Sequence, residues 1–117
     1  MQRIRANIWF NDQAEEAAQF YTSILPDGRV DTVSYYGEAG KEYHKQKPGS
    51  VMTVDFSLGG HGFTALNGGP MFRPNPSSCF FVNCTQAAEV DRCWNALAPA
   101  GKVLMPLDSY PFSKRYG

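Results

Sequence analysis

Asp55 is the residue of this sequence whose type and setting are best suited to chemistry. It lies in Val51–Leu58, where polar and apolar residues alternate, so that Thr53, Asp55 and Ser57 share one face of a predicted strand. If the apolar residues between them face a helix, the Asp55 carboxylate lies on the opposite face. There it could act as a general base or bind a cationic ligand. The alternative is a solvated aspartate on an exposed sheet face.

Asn7 and Trp9 alternate in the same way near the start of the chain. With Arg5 they form one face of a strand predicted over residues 4–10. The other face is apolar and carries Ile4, Ala6, Ile8 and Phe10. An aromatic ring beside a few polar groups is typical of small-molecule pockets. Packing in the core is the alternative for Trp9.

The other reactive side chains do not form a recognisable catalytic set. His44 is predicted in a polar loop and His61 in a turn, where histidines are usually solvated. The three cysteines all fall within residues 79–93, an odd number that suits free thiols in a reducing cytosol. Cys79 alternates with Phe81 and is predicted to be a core thiol. No histidine adjoins a cysteine or serine in the pattern, so a nucleophilic triad finds no support.

The glycine run at residues 59–62 invites a phosphate-binding interpretation that the sequence does not sustain. The run Gly59-Gly60-His61-Gly62 lacks the Lys-Ser/Thr of a P-loop and joins two predicted strands, so it predicts a hairpin turn. No glycine-rich turn follows the first predicted strand, where a nucleotide-binding helix would begin.

The elements that must position these side chains form a β-α-β-β-β unit. Asp12 and Glu15 have the spacing of a capping box at the start of its helix, and Pro26 with Gly28 ends it. A polar loop is predicted over residues 37–50. The predicted elements are a strand at 4–10, a helix from Asp12 to Leu25, and strands at 29–36, 51–58 and 63–67.

This unit is followed by a second, incomplete copy of itself. Pro26-Asp27-Gly28-Arg29-Val30 returns as Pro99-Ala100-Gly101-Lys102-Val103, and the apolar stripe upstream returns in the same register. The repeat predicts modules at 1–73 and 74–117 within a single domain. The second module contains a strand at 78–84, a helix at 86–98 and a strand at 102–107, and lacks its last two strands in this chain.

Four segments resemble one branch of a known superfamily. Residues 10–21, FNDQAEEAAQFY, look like the opening helix of PhnB-like proteins, also called the 3-demethylubiquinone-9 3-methyltransferase-like domain. Residues 63–70, FTALNGGP, resemble their fourth strand and turn, and 79–84 with 89–97 resemble the start of their second module. The family belongs to the vicinal oxygen chelate superfamily, with glyoxalase I, extradiol dioxygenases and bleomycin-resistance proteins. The resemblance implies an α+β fold of tandem βαβββ modules.

The resemblance also implies a ligand cleft between the two modules. Asp55 is the candidate catalytic residue there. The residues expected to line the cleft are Asn7, Trp9, Tyr35, Thr53, Asn67 and Phe80. The implied function is binding of a small organic molecule, with the reaction unassigned. Whether the domain is an enzyme stays open, because the family's methyltransferase name has no nucleotide-binding motif behind it here.

Metal-dependent members of the superfamily place His, Glu or Gln on the first and last strands of each module. Here the first strand carries Arg5, Asn7 and Trp9, matched in the repeat by Phe80 and Val82, and neither face of the fourth strand at 63–67 carries a histidine or a carboxylate, so none of these positions suits a divalent metal. We therefore expect no bound metal and no other cofactor. The alternatives are a metal-dependent lyase, isomerase or dioxygenase of the glyoxalase kind, and a drug-sequestering resistance protein.

Composition restricts the partners. The 117 residues carry 11 basic and 11 acidic side chains, which gives no electrostatic reason to expect nucleic acid or a membrane surface. The N-terminus has no apolar run of a signal peptide, and we expect a cytoplasmic protein. The resemblance implies a homodimer, with strands or modules exchanged between chains. The missing strands of the second module either exist outside this sequence or are replaced by a partner's edge.

Overall fold

The computed structural model describes residues 4–117. It has mixed α+β structure in two compact units, Met1–Ser78 and Cys79–Gly117. The first unit contains β1 (Ala6–Phe10), α1 (Ala14–Ile24), β2 (Arg29–Tyr35), α2 (Lys41–His44), β3 (Val51–Leu58) and β4 (His61–Asn67). The second contains α3 (Ala87–Leu97), β5 (Asp108–Tyr110) and β6 (Ser113–Tyr116). No helix within residues 4–117 is long and apolar enough to cross a membrane.

The first unit confirms the predicted order of the strands and of α1, and it adds the short helix α2 within residues 37–50, which were predicted to be a loop. Its four strands form one sheet in the order β1-β4-β3-β2, with β1 parallel to β4 and the other pairs antiparallel. The Gly59-Gly60 turn places Leu58 opposite His61, and this sets the register of the whole β3–β4 pair. Both turn glycines have positive φ, 56° and 84°, a conformation that glycine adopts without a steric penalty.

The core of this unit lies between α1 and one face of the sheet. Ala14 and Ala18 are fully buried on the helix and meet Val54 and Phe56 of β3. Small helical residues allow the helix to approach the larger side chains of the strand closely. Phe56 also stacks on Phe63 of β4, with ring centroids 5.4 Å apart. The predicted alternation of Val51–Leu58 is therefore confirmed, with the apolar side facing the helix.

The start of α1 differs from the prediction. The helix begins at Ala14 after Gln13, and neither Asp12 nor Glu15 forms the predicted capping box. Instead the Ala14 N–H donates to Oδ1 of Asn67 at 2.8 Å, and Asn67 Nδ2 donates to the Val51 carbonyl at 3.1 Å. A buried amide that both accepts and donates satisfies a free helix N–H and a strand-end carbonyl together.

The second unit departs further from the predicted repeat. Helix α3 is confirmed, but the strands predicted at 78–84 and 102–107 are absent. Instead β5 and β6 form a short antiparallel hairpin, which Arg115 Nε ties to Asp91 of α3 at 2.5 Å. A strand needs a hydrogen-bonded neighbour, and no described segment of this unit pairs with the two predicted ones. Cys79, predicted to be buried, is exposed.

We expect Asn67→Ala to destabilise the first unit, because the Ala14 N–H and the Val51 carbonyl would lose their buried partner. The expected loss is about 1–3 kcal/mol in the free energy of unfolding. Urea unfolding measures it. Asn75→Ala is the control, since Asn75 bonds only within its own exposed turn. Equal stability of the two variants would contradict the capping role of Asn67.

Candidate functional site

The sheet of the first unit has a second face, directed away from α1, which we call the distal face. Strand register aligns four hydrogen-bonding side chains across its middle, one from each strand. Asn7 pairs with Thr64, Thr64 with Asp55, and Asp55 with Thr32. Paired residues of neighbouring strands lie on the same face, so these four form a continuous polar row. The sequence predicted Asn7 and Asp55 on this face but missed Thr64 and Thr32.

Asp55 is the centre of the polar row. Its Oδ1 accepts a hydrogen bond from the Thr64 hydroxyl at 2.7 Å and lies 3.7 Å from Nη2 of Arg5. The same Arg5 nitrogen donates to the Phe63 carbonyl at 2.6 Å, which holds the guanidinium beside the carboxylate. The Arg5 and Asp55 side chains are 33% and 38% exposed. A donor and an acceptor are thus fixed next to each other and remain reachable by solvent.

Trp9 lies on the same face of β1 as Asn7, two residues further along the strand, and it pairs in register with Leu66 of β4. Its ring is held from three directions. The indole N–H donates to the Gly69 carbonyl at 2.8 Å, and Phe72 packs edge-on with centroids 4.9 Å apart. Gly68 lies so close that a Cβ there would be 2.3 Å from Cζ2 of the indole. The ring is therefore fixed in place by its own neighbours.

Polar side chains also occupy the distal face between β3 and the edge strand β2. Thr53 pairs with Ser34 in register, and their hydroxyls are hydrogen-bonded. At the edge, Asp31 accepts hydrogen bonds from Ser57 and from Arg29 Nε, both at 2.6 Å. These two bonds, Ser57 first, lower the pKa of Asp31 below its ordinary value. Thr53 thus lies on the predicted face, close to the polar row.

Three of the predicted cleft residues are not part of this group. Asn67 is buried on the helix side, where it caps α1. Tyr35 pairs with Val51, whose side chain packs against the core, so strand register assigns Tyr35 to the helix side as well. Phe80 lies in the second unit, 59% exposed and outside any strand. Its place in a cleft, like the predicted homodimer with exchanged strands or modules, stays a prediction.

The distal face does not offer the ligands of a divalent metal. Among residues 4–117, no three His, Cys, Asp or Glu side chains come together in a way that would hold an ion. Asp55 is the only carboxylate in the polar row, and the Arg5 guanidinium beside it would repel a cation. The polar row thus lacks the donor set that a metal of the kind used by glyoxalase I requires, and the absence of a bound metal stays a prediction.

A separate depression of about 300 Å³ lies at the start of α1, away from the polar row. Asp12, Glu15 and Glu16 line it, together with Gln46 and Asn67. Two of these carboxylates, Glu15 and Glu16, belong to the first turn of α1. Negative charge is stabilised there by the positive end of the helix dipole. We therefore assign the acidic residues of this depression a role in stabilising the start of α1.

We expect Gly68→Ala to displace the Trp9 ring, because the added methyl group would occupy its position. The expected loss of stability is about 1–3 kcal/mol, the usual result of overpacking. Urea unfolding and the fluorescence of Trp9 in a Trp94→Phe background measure the effect. Gly37→Ala is the matched control, since nothing lies within 4 Å of a Cβ there. Unchanged Trp9 emission in Gly68→Ala would show that the ring is not fixed by this contact.

We expect Asp31→Asn to lower stability in a pH-dependent way. The pKa of Asp31 is lowered from 3.8 in the folded chain, so folding favours its charged form. This contribution is present above pH 3.8 and disappears as the pH falls through the lowered folded value. Urea midpoints of the wild type and the variant should differ at neutral pH and converge well below pH 3.8. A difference that persists in acid would refute this role of the carboxylate.

Comparisons with known proteins identify the family. The profile of the 3-demethylubiquinone-9 3-methyltransferase family matches residues 2–117. A solved structure from Bacillus cereus, described as a putative 3-demethylubiquinone-9 3-methyltransferase, PhnB protein, is 35% identical with a TM-score of 0.85. The match covers 97% of this chain and 87% of that one.

A crystal structure of a protein from Staphylococcus aureus is 30% identical over 98% of this chain and 83% of its own, with a TM-score of 0.45. The search of curated proteins gave no significant match. The family profile spans nearly the whole sequence and the Bacillus cereus structure shares its fold. On these two findings, the chain belongs to the PhnB-like 3-demethylubiquinone-9 3-methyltransferase family.

Proposed function

We propose that this chain binds a small organic molecule on the distal face of its first unit, against the polar row and Trp9, and without a resident metal. The observation that carries the proposal is the polar row itself. Four hydrogen-bonding side chains, one from each strand, lie in register beside a fixed aromatic ring. A few placed polar groups next to an apolar wall are the usual composition of a small-molecule site.

Rigidity supports the same conclusion. The groups that would meet a ligand lie on the strands of one sheet or, for Arg5, directly before β1, and Arg5, Asp55 and Trp9 are each held by hydrogen bonds to nearby residues. Side chains that are already ordered lose little conformational entropy on binding. None of the three is fully buried, so the groups that give specificity can still be reached.

We assign Asp55 to ligand binding in this proposal. Its Oδ1 is occupied by Thr64 and faces Arg5, so the carboxylate is oriented as a hydrogen-bond acceptor. No second titratable side chain of the polar row stands beside it to pass a proton on, since the other members are Asn7, Thr64 and Thr32. Acid–base catalysis usually needs such a partner or a substrate that supplies one.

The test is a ligand-observed NMR screen of a diverse fragment library. We expect bound fragments whose affinity falls at least tenfold in Thr64→Val, which removes the hydroxyl beside Asp55 while keeping the side chain's shape. Thr22→Val is the matched control, because its hydroxyl bonds to the Ala18 carbonyl within α1. Native mass spectrometry of gently purified protein should show no stoichiometric divalent metal.

Two outcomes would overturn the proposal. Either no fragment binds, or the bound fragments are equally insensitive to Thr64→Val and Thr22→Val, which would place them elsewhere on the protein. One divalent metal per site in the native mass spectrum would overturn the metal-free part and favour a glyoxalase-type metalloenzyme.

A further inference from the structure

We infer that Cys84 and Cys93 of the second unit form a reversible disulfide when a hydroperoxide oxidises the chain, with Cys84 reacting first and Cys93 closing the bond. This inference concerns the second unit and stands independently of the proposed function. Three observations lead to it: the two sulfurs are in contact, one of them is more accessible than the other, and a carboxylate lies beside them.

The two thiols meet at the start of α3. Cys93 and Glu89 are four residues apart in the helix and therefore share one face of it. Side chains of a helix lean toward its N-terminus, which directs both of them toward the segment that precedes α3. Cys84 lies in that segment, and its sulfur is within hydrogen-bonding range of the Cys93 sulfur and of the Glu89 carboxylate. Two sulfurs that already touch meet the first requirement of a disulfide.

The chain around Cys84 can supply the short movement that bonding requires. A bonded pair of sulfurs is only about 2 Å apart, closer than two thiols in contact. Cys84 lies outside any helix or strand, and its Sγ is 4.0 Å from the Val82 carbonyl oxygen of the same irregular segment. Cys93 lies within α3 and is held by the helix. We therefore expect Cys84 to move toward Cys93 while α3 stays in place.

The exposure of the two thiols assigns their roles. Cys84 is half-buried, whereas Cys93 is only 6% exposed. A small oxidant therefore reaches the sulfur of Cys84 first. Thiols that respond reversibly to oxidants are accessible and lie next to a second cysteine that resolves the oxidised form. Cys93 lies where such a resolving thiol must be.

The reaction has two steps, and the hydroperoxide is its oxidant. The Cys84 thiolate attacks the hydroperoxide, so that an S–O bond forms, the O–O bond breaks, and an alcohol (water, from hydrogen peroxide) leaves with the thiol's proton. Cys84 is thereby oxidised to a sulfenic acid and the hydroperoxide is reduced. The Cys93 sulfur then attacks the Cys84 sulfur, the S–S bond forms as the S–O bond breaks, and the hydroxyl leaves as water with the Cys93 proton. A thiol reductant restores both thiols by exchange.

Glu89 makes the pair slow to react at neutral pH. Burial, and then the charges and hydrogen bonds of Glu89 and Cys93, raise the pKa of the Cys84 thiol above its ordinary value. Only the thiolate attacks a peroxide, so the rate of oxidation rises with pH until the raised pKa is passed. We therefore expect the disulfide to form during prolonged exposure to oxidant, and faster in mildly alkaline solution.

The test is peptide mapping after exposure of the reduced chain to hydrogen peroxide and alkylation of the remaining thiols. Trypsin cleaves after Arg92, which separates Cys84 from Cys93, so that a disulfide between them appears as two linked peptides. Cys79 stays in the peptide of Cys84, and the wild type is therefore compared with Cys79→Ser. In both chains we expect the linked peptides to carry most of the oxidised Cys84, in a monomer whose intact mass is lower by two hydrogens. Dithiothreitol should separate the peptides again.

Two variants test the assigned roles. Cys93→Ala removes the resolving thiol, so sulfinic acid at Cys84 should increase at least tenfold. Glu89→Gln removes the negative charge beside Cys84, so the disulfide should form at least threefold faster at pH 7 and the pH profile of the rate should move to lower pH. Glu42→Gln is the matched control, since Glu42 is exposed on α2 in the first unit. Circular dichroism shows whether each variant is folded, and the mapping in Cys79→Ser leaves the pair itself unchanged.

Other results overturn the inference. If Cys84 of the Cys79→Ser chain is oxidised without a link to Cys93, or if the linked peptides occur only in a covalent dimer, the disulfide within the chain is wrong. If sulfinic acid at Cys84 is equal with and without Cys93, the resolving role is wrong. If Glu89→Gln leaves the rate and its pH profile unchanged, the role of Glu89 is wrong while the disulfide stands.

Discussion

The first unit depends on the burial of one side of strand β3 beneath helix α1. Val54 and Phe56 are excluded from water by Ala14 and Ala18. Because side chains of a strand alternate, burying these two directs Asp55 to the other face of the sheet. The register of β4 and β2 on either side then brings hydrogen-bonding groups next to it. The polar row is thus a consequence of how the core is packed.

Much of this unit could be predicted from sequence, because its signals are local. The alternation of Val51–Leu58 predicts which side of the strand holds Asp55, and the glycine turn that follows predicts the hairpin. The position of Thr64 beside Asp55 could also have been predicted from sequence. A two-residue turn at Gly59-Gly60 sets the register that pairs Asp55 with Thr64. Alternation and turn length together locate this part of the site.

What sequence could not supply depends on contacts between distant residues. Asn67 follows its strand's alternation, but only the folded chain brings it within 2.8 Å of the Ala14 N–H, 53 residues away. The β2–β3 pairing is interrupted near Tyr35, and the sequence of β2 shows neither this interruption nor which side of the strand the helix covers, so Tyr35 was predicted on the wrong side. In the second unit, the sequence around Phe80 has the pattern of a strand but does not form one, because no described strand pairs with it.

The parallel pairing of β1 with β4 has a consequence for how the site is assembled. Strands β2, β3 and β4 follow one another as antiparallel neighbours, whereas Ile8 must find Ala65 across most of the unit. Contacts so distant in sequence carry the greater entropic cost of loop closure. Arg5, Asn7 and Trp9 all belong to this N-terminal segment, while Asp55 and Thr64 belong to the meander. A molecule held by both groups therefore links the chain's beginning to its sheet, and its binding energy adds directly to the stability of that junction.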